Sequence, residues 1–84
     1  MQFEFDPKKS AANKAKHGMD FEHVQTLWTG RTVVFALVSA GEPRFMTLGK
    51  IDGKIWAAVW TPRDESLRII SARLASGKER KLYD

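Results

Sequence analysis

No cysteine occurs among the 84 residues. That excludes disulfides, a thiolate nucleophile and any cysteine zinc site, and it fits a reducing compartment. His17 and His23 are the only histidines, too few to give a zinc spacing on their own. Asp64-Glu65 and Asp20 with Glu22 are too sparse for a magnesium cluster. No metal and no cofactor are therefore expected. A glycine-rich phosphate loop and a G-x-S-x-G elbow are both missing. The longest apolar run, within residues 32–38, falls far short of the ~20 residues that span a bilayer, so no membrane is expected. The start, MQFEFDPKKS, is charged and has no apolar h-region, so no secretory signal is expected and a cytoplasmic place is implied. Repeats, linkers and low-complexity segments are absent as well.

What remains is an ordinary globular mix, 43% hydrophobic and 29% charged, in a length that suits one domain over residues 1–84 with a modest core. The formal net charge is +4 and the isoelectric point about 9.7. Such a balance favours an anionic partner, or describes a basic protein with a solvated surface.

The chain reads as short elements. FEF at 3–5 alternates as a first strand would. Asp6-Pro7 opens a helix with an N-cap and a proline at the first position, and Gly18 closes it. Lys14, Lys16 and His17 fall in its last turns, near the negative end of the dipole. Asp20 looks like a second N-cap. Phe21, Val24, Leu27 and Trp28 follow at 0, +3, +6 and +7, one stripe of a second helix. That stripe is a core face or a partner groove. TVVFALV at 32–38 predicts a well-covered strand, and RFMTLGK at 44–50 a second. Asp52-Gly53 predicts a two-residue hairpin turn into a third strand, KIWAAVWT at 54–61, which Pro62 is expected to end. Residues 67–74 form a fourth. Ser76 with Glu79 has capping-box spacing for a short last helix through Tyr83. The fold class is α+β: a short N-terminal strand, two helices on one sheet face, a four-stranded antiparallel meander and a short C-terminal helix.

Chemistry is expected from the cations. In residues 67–74 simple alternation puts Arg68 and Arg73 on opposite faces, with Arg73 near the exposed strand end. Arg63 sits in the preceding turn and Arg44 opens the second of the four strands. Guanidinium forks match phosphate oxygens, although each arginine can equally pair with an acid or lie over apolar surface. Trp56 and Trp60 share one face of their strand, with Trp28 on the second helix, and can stack bases or fill the core. His17 suits general acid–base work, or simply caps its helix beside Gly18.

The ordered set FEFDPKK (3–9), NKAKHG (13–18), FEHV (21–24), PRFMTLG (43–49), VWTPR (59–63) and RIISARLASGKERKLYD (68–84) resembles BrnT-type toxins of bacterial type II toxin–antitoxin systems. The likeness runs through essentially the whole chain. Trp60 stands where that family usually has tyrosine, and Pro43 where it usually has glutamate before Arg44. The resemblance implies a RelE-like fold and a ribonuclease that arrests translation. It also implies a BrnA-type ribbon-helix-helix antitoxin, a hetero-oligomer with it, and DNA contact only through that partner.

On that basis the RNA 2′-OH attacks the adjacent phosphate without metal, which needs charge stabilisation and proton transfer. Arg63 and Arg73 are the expected charge stabilisers. Lys16 and His17 position phosphate or move a proton, and Tyr83 supplies a hydroxyl or packs. Arg44, Arg68, Arg80, Lys14 and Trp60 make up the expected RNA-binding set. Glu79 reads as a cap rather than a base. Two other readings stay open: a non-catalytic RNA- or ribosome-binding module, and an antitoxin-binding co-repressor acting through the complex on DNA.

Overall fold

The computed structural model of the chain describes all residues from Met1 to Asp84. Strand β1 (Gln2–Glu4) leads into helix α1 (Pro7–His17) and a 3₁₀ helix (His23–Thr29). Strands β2 (Val33–Leu37), β3 (Arg44–Ile51), β4 (Lys54–Arg63) and β5 (Ser66–Leu74) follow, then helix α2 (Gly77–Tyr83). The sheet order is β1-β5-β4-β3-β2. The α+β expectation holds, but the sheet is five-stranded and mixed. The meander β2 to β5 is extended by β1, which pairs parallel to β5 with Phe3 opposite Leu67 and Glu4 opposite Arg68.

Local chemistry explains most boundaries. Asp6 caps α1 by accepting the Lys8 N–H at 2.9 Å, Pro7 fills the first position, and Gly18 ends the helix at φ 80°. The alanines of α1 stay exposed and only Ser10 is buried, so the helix is fastened by polar groups. Ser10 accepts the Phe21 N–H at 2.8 Å. The Asn13 amide donates to Ala72 O at 2.8 Å, and its oxygen accepts the Ala72 N–H at 3.3 Å. Asn13 thus takes both backbone groups of one β5 residue, as a further strand would beyond the short β1, and satisfies an otherwise open edge.

The segment after α1 is a 3₁₀ helix rather than an α-helix. Its stripe explains why: Phe21, Val24 and Leu27 recur every third residue, the 3₁₀ period, and all are fully buried, whereas Trp28 is only half-buried. Glu22, not Asp20, takes the N-cap position, without a side-chain bond; Asp20, two residues before it, still accepts the His23 N–H at 2.7 Å. The helix sits so close on β3 that a Cβ at Gly49 would lie 2.9 Å from Leu27 Cδ2. The β3–β4 turn has Asp52 at φ 51° and Gly53 at φ 79°, the double left-handed geometry its sequence predicts.

Two further expectations are corrected. Pro62 does not end β4, which runs on to Arg63; the β3 pairing stops at Trp60, so β4 has a free side there that tolerates a proline. Strand β2 is not covered on both faces but is the sheet edge, with Val34 half-exposed and Val38, just past its end, fully exposed. The first two helices share one face, as expected, whereas α2 lies on the other. Residues directly opposite in the register share a face, which sorts the sheet cleanly. Under α1 and the 3₁₀ helix lies one cluster, including Met19, Phe21, Val24, Leu27, Ile51, Trp56, Leu67 and Ile69. On the opposite face α2 covers a smaller cluster of Met46, Leu48, Ile55, Ala57, Ala75 and Tyr83.

Candidate nucleic-acid interface

Strand β5 carries one residue too many for its partner. Val59 stands opposite Ser71, but Trp60 stands opposite Ile69, so Ile70 is a β-bulge. That single residue resets the alternation. Arg73 lies opposite Ala57 and Arg68 opposite Thr61, positions four apart on β4 and therefore on one face. The expectation that Arg68 and Arg73 point opposite ways is overturned for this reason. Arg63, two residues beyond Thr61, shares that face, and so does Arg44, opposite Leu37 on β2. Four arginines therefore line the face that α2 only half covers. Arg63 and Arg68 are diagonal neighbours on adjacent strands, with Cβ atoms about 7–8 Å apart, within reach of one phosphate for two such long side chains.

What holds each guanidinium differs. Arg73 makes a fork with Glu79, Nη1 to Oε1 at 2.7 Å and Nη2 to Oε2 at 2.9 Å. The Glu79 Oε1 also accepts the Ser76 N–H at 2.8 Å, completing the capping box of α2. The hydrogen bond from Arg73, aided by those of Ser76, holds the Glu79 carboxyl down at about 2 against the desolvation that opposes it. The same bond raises the Arg73 guanidinium above its ordinary value. Arg73 is thus a strut between β5 and α2. Arg63 meets Glu42 at 3.2 Å and Arg68 meets Glu4 at 3.4 Å, both partly exposed, single-contact pairs. Exposed pairs of that kind contribute about 0–1 kcal/mol, so a phosphate can displace them. Arg44 has no ion-pair partner within 4.0 Å.

The other expected residues separate from this group. Tyr83 is buried, and its hydroxyl donates to Arg31 O at 3.0 Å. Arg31 answers by donating to Tyr83 O, with its guanidinium 4.3 Å from the ring centroid. Tyr83 therefore pins the end of α2. Lys16 and His17 are exposed in the last turn of α1, the helix fastened to β5 through Asn13, and Lys14 pairs loosely with Asp20 at 3.8 Å. Arg80, on α2, donates to Ala75 O at 3.1 Å. Trp60 faces the packed cluster, stacked on Phe45 at 4.9 Å, with its indole N–H donated to the Thr47 hydroxyl at 2.8 Å. Trp28 and Trp56 also belong to that side, so no tryptophan reaches the arginine face.

Sequence reasoning missed Glu4, Glu42, Arg31 and Phe35. Phe35, half-buried, is the aromatic ring that β2 adds to the arginine face, opposite Met46. Its signal was the alternation of β2 relative to Arg44, legible only once the strand register is known. The acids that meet Arg68 and Arg63 are 64 and 21 positions away in the chain, and nothing in their local sequence marks them.

A family model described as the ribonuclease toxin BrnT of type II toxin–antitoxin systems matches residues 5–79. The chain belongs to that family. The match takes in Arg44, Arg63, Arg68 and the Arg73–Glu79 fork, and stops short of Arg80 and Tyr83. Membership makes a BrnT chain a toxin of the ribonuclease class, with an antitoxin as its partner. No curated protein matches the chain significantly. No helix in this BrnT chain is long and apolar enough to cross a membrane.

Proposed function

We propose that the chain is a metal-independent endoribonuclease that cuts RNA on the arginine face and so stops translation in the cytoplasm. The observation that carries this reading is the bulge at Ile70, which turns Arg68 onto the open sheet face that already holds Arg44 and Arg63. A scissile phosphate displaces Glu42 and Glu4 from Arg63 and Arg68, and the two guanidinium groups then bind the charge that builds on its oxygens as the 2′-OH attacks. Arg44 holds a flanking phosphate and Phe35 offers a surface to a base. Arg73 is a positioning residue, because its fork with Glu79 fixes α2 beside the site. Lys14, Lys16 and His17, on α1 over the other side of the sheet, are given no part in the cleavage step. The metal-free route is supported by this cation set, which can itself hold the charge that builds on the phosphate.

The partner we infer is a BrnA-like ribbon-helix-helix antitoxin that covers the arginine face, forms a hetero-oligomer and alone touches DNA. The kinship with RelE-like toxins belongs to this proposal too.

The test is antitoxin-free protein incubated with a defined messenger RNA in EDTA, with the product ends mapped. Fragments ending in 2′,3′-cyclic phosphate, lost in folded Arg63→Ala and Arg68→Ala variants, are the expected result. Undiminished cleavage by both variants sinks the assignment. One observation favours a second reading, a binding-only module on the same face: Tyr83 spends its hydroxyl on Arg31, so that face shows no free tyrosine proton donor. Salt-sensitive RNA binding with no cleavage, with or without ribosomes, would establish it.

A further inference from the structure

At the far end of β4 lies a second basic site. Lys54 opens that strand and Arg63 ends it, about 30 Å apart at the usual strand rise. A cleft of about 390 Å³ there is lined by Lys50, Lys54, Ile55, Leu74, Arg80 and Asp84, among others. It includes none of the four arginines of the arginine face, although Lys50 and Ile55 stand on that same side of the sheet, at its other end. Lys50 and Lys54 flank the tight Asp52-Gly53 turn, Lys50 opposite Ile55 and Lys54 opposite Ile51. Arg80 comes from α2, its Nη1 anchored on Ala75 O. None of these three cations takes part in any of the four ion pairs of the chain.

Three unpaired cations line this concavity, Lys50 from the α2 side of the sheet and Lys54 from the other side at the end of the hairpin, and together they raise the local anion concentration. Ile55, Leu74 and Ala75 supply an apolar wall, which excludes water and strengthens that attraction. Leu74 is still half-exposed, so part of the wall has no partner of its own. The volume falls within the range of small-molecule sites and exceeds what a bare phosphate fills. Asp84 adds one acceptor, suited to a ribose hydroxyl.

We propose that the cleft between the β3–β4 turn and α2 binds a nucleoside monophosphate group, its phosphate on Lys50, Lys54 and Arg80 and its nucleoside against Ile55 and Leu74. The group is either a free mononucleotide or the 5′-terminal nucleotide of an RNA strand. The proposal does not depend on cleavage at the arginine face.

The experiment is an amide NMR titration of the full chain with adenosine 5′-monophosphate, and with adenosine as the control. Saturable shifts confined to Lys50, Gly53, Lys54 and Arg80, with a Kd of about 1 mM, are expected with the monophosphate alone. Lys54→Ser should weaken binding about tenfold, and Lys50→Ser with Lys54→Ser more. Both lysines are exposed on a turn and leave α2 untouched, so these variants keep the fold whatever happens in Arg80→Ser. Lys9→Ser, exposed on α1, should bind the monophosphate as the parent does. Tighter binding of a 5′-phosphorylated oligonucleotide than of the monophosphate identifies an RNA end as the occupant; equal or weaker binding identifies the free nucleotide. The proposal is overturned by shifts that do not saturate at about 10 mM, by equal shifts with adenosine, or by lysine variants that bind like the parent.

Discussion

The two faces of the sheet are built from the same strands and differ in what lies over them. One is sealed by the 3₁₀ helix and the chain around it, with Phe21, Val24 and Leu27 wholly buried. The polar groups there are matched locally, as Trp60 is with Thr47. The other carries a seven-residue helix over half its area, and its remaining positions hold four arginines with Ser71 and Thr61 between them. A guanidinium cannot sit on the sealed face without losing its water. On the open one it keeps solvent and meets acids that can be exchanged. The comparison teaches that stability and chemistry are divided between faces, and that one inserted residue, Ile70, puts Arg68 on the chemical side.

The sharpest way to break this division is to damage the sealed face. Phe21→Ala removes a buried ring that meets Phe5 edge-on at 6.0 Å. The expected loss is about 3–5 kcal/mol of unfolding free energy in urea, a large share of what a domain this small possesses. Val59→Ala, on the half-covered face, should lose about 1 kcal/mol. Comparable losses for the two would mean that both faces bear the fold equally.

The converse probe acts on the open face. Arg63→Ala and Arg68→Ala should each lower the RNA cleavage rate on the order of 10²-fold while shifting stability by less than about 0.5 kcal/mol. Gel-resolved cleavage beside urea unfolding checks both halves. A stability loss that matches the loss of rate would make these arginines structural.

Much of this architecture was legible where a residue's local chemistry decides its geometry. Asp6-Pro7, Gly18, Asp52-Gly53 and the Ser76–Glu79 box each act as their sequence suggests. What escaped depends on partners far along the chain. Ile70 looks like any strand residue, because β5 is apolar on both sides of it and no turn residue marks a bulge. The 3₁₀ period was present in Phe21, Val24 and Leu27, but Trp28 completed an α-helical stripe and concealed it. Arg31 and Tyr83 clamp one another across 52 positions, so neither predicts the other.

The Arg73–Glu79 fork joins the two halves of the open face and can be isolated by acid. The Glu79 carboxyl lies at about 2, below its ordinary 4.5. A depressed value means stability that is fully present above about 4.5 and fades as pH falls toward about 2. Because Arg73 is partly exposed, the effect is on the order of 1–2 kcal/mol. Glu79→Gln should therefore be less stable than the parent at pH 6, and the gap in urea midpoint should narrow by pH 3. A gap that stays constant would show that the fork does not hold α2.

The smallest effect is expected at Trp60, where the resemblance drawn from the sequence leads one to expect tyrosine. If a phenol there donated a proton to the leaving oxygen, Trp60→Tyr would raise the cleavage rate several-fold. The register instead turns Trp60 to the sealed face, stacked on Phe45, away from Arg63 and Arg68. A tyrosine ring keeps most of that stacking but loses volume and the bond to Thr47, at about 1 kcal/mol. Cleavage should stay within about twofold of the parent, because nothing that meets the phosphate has changed. A several-fold gain would place residue 60 in the chemistry and join the two faces that the bulge keeps apart.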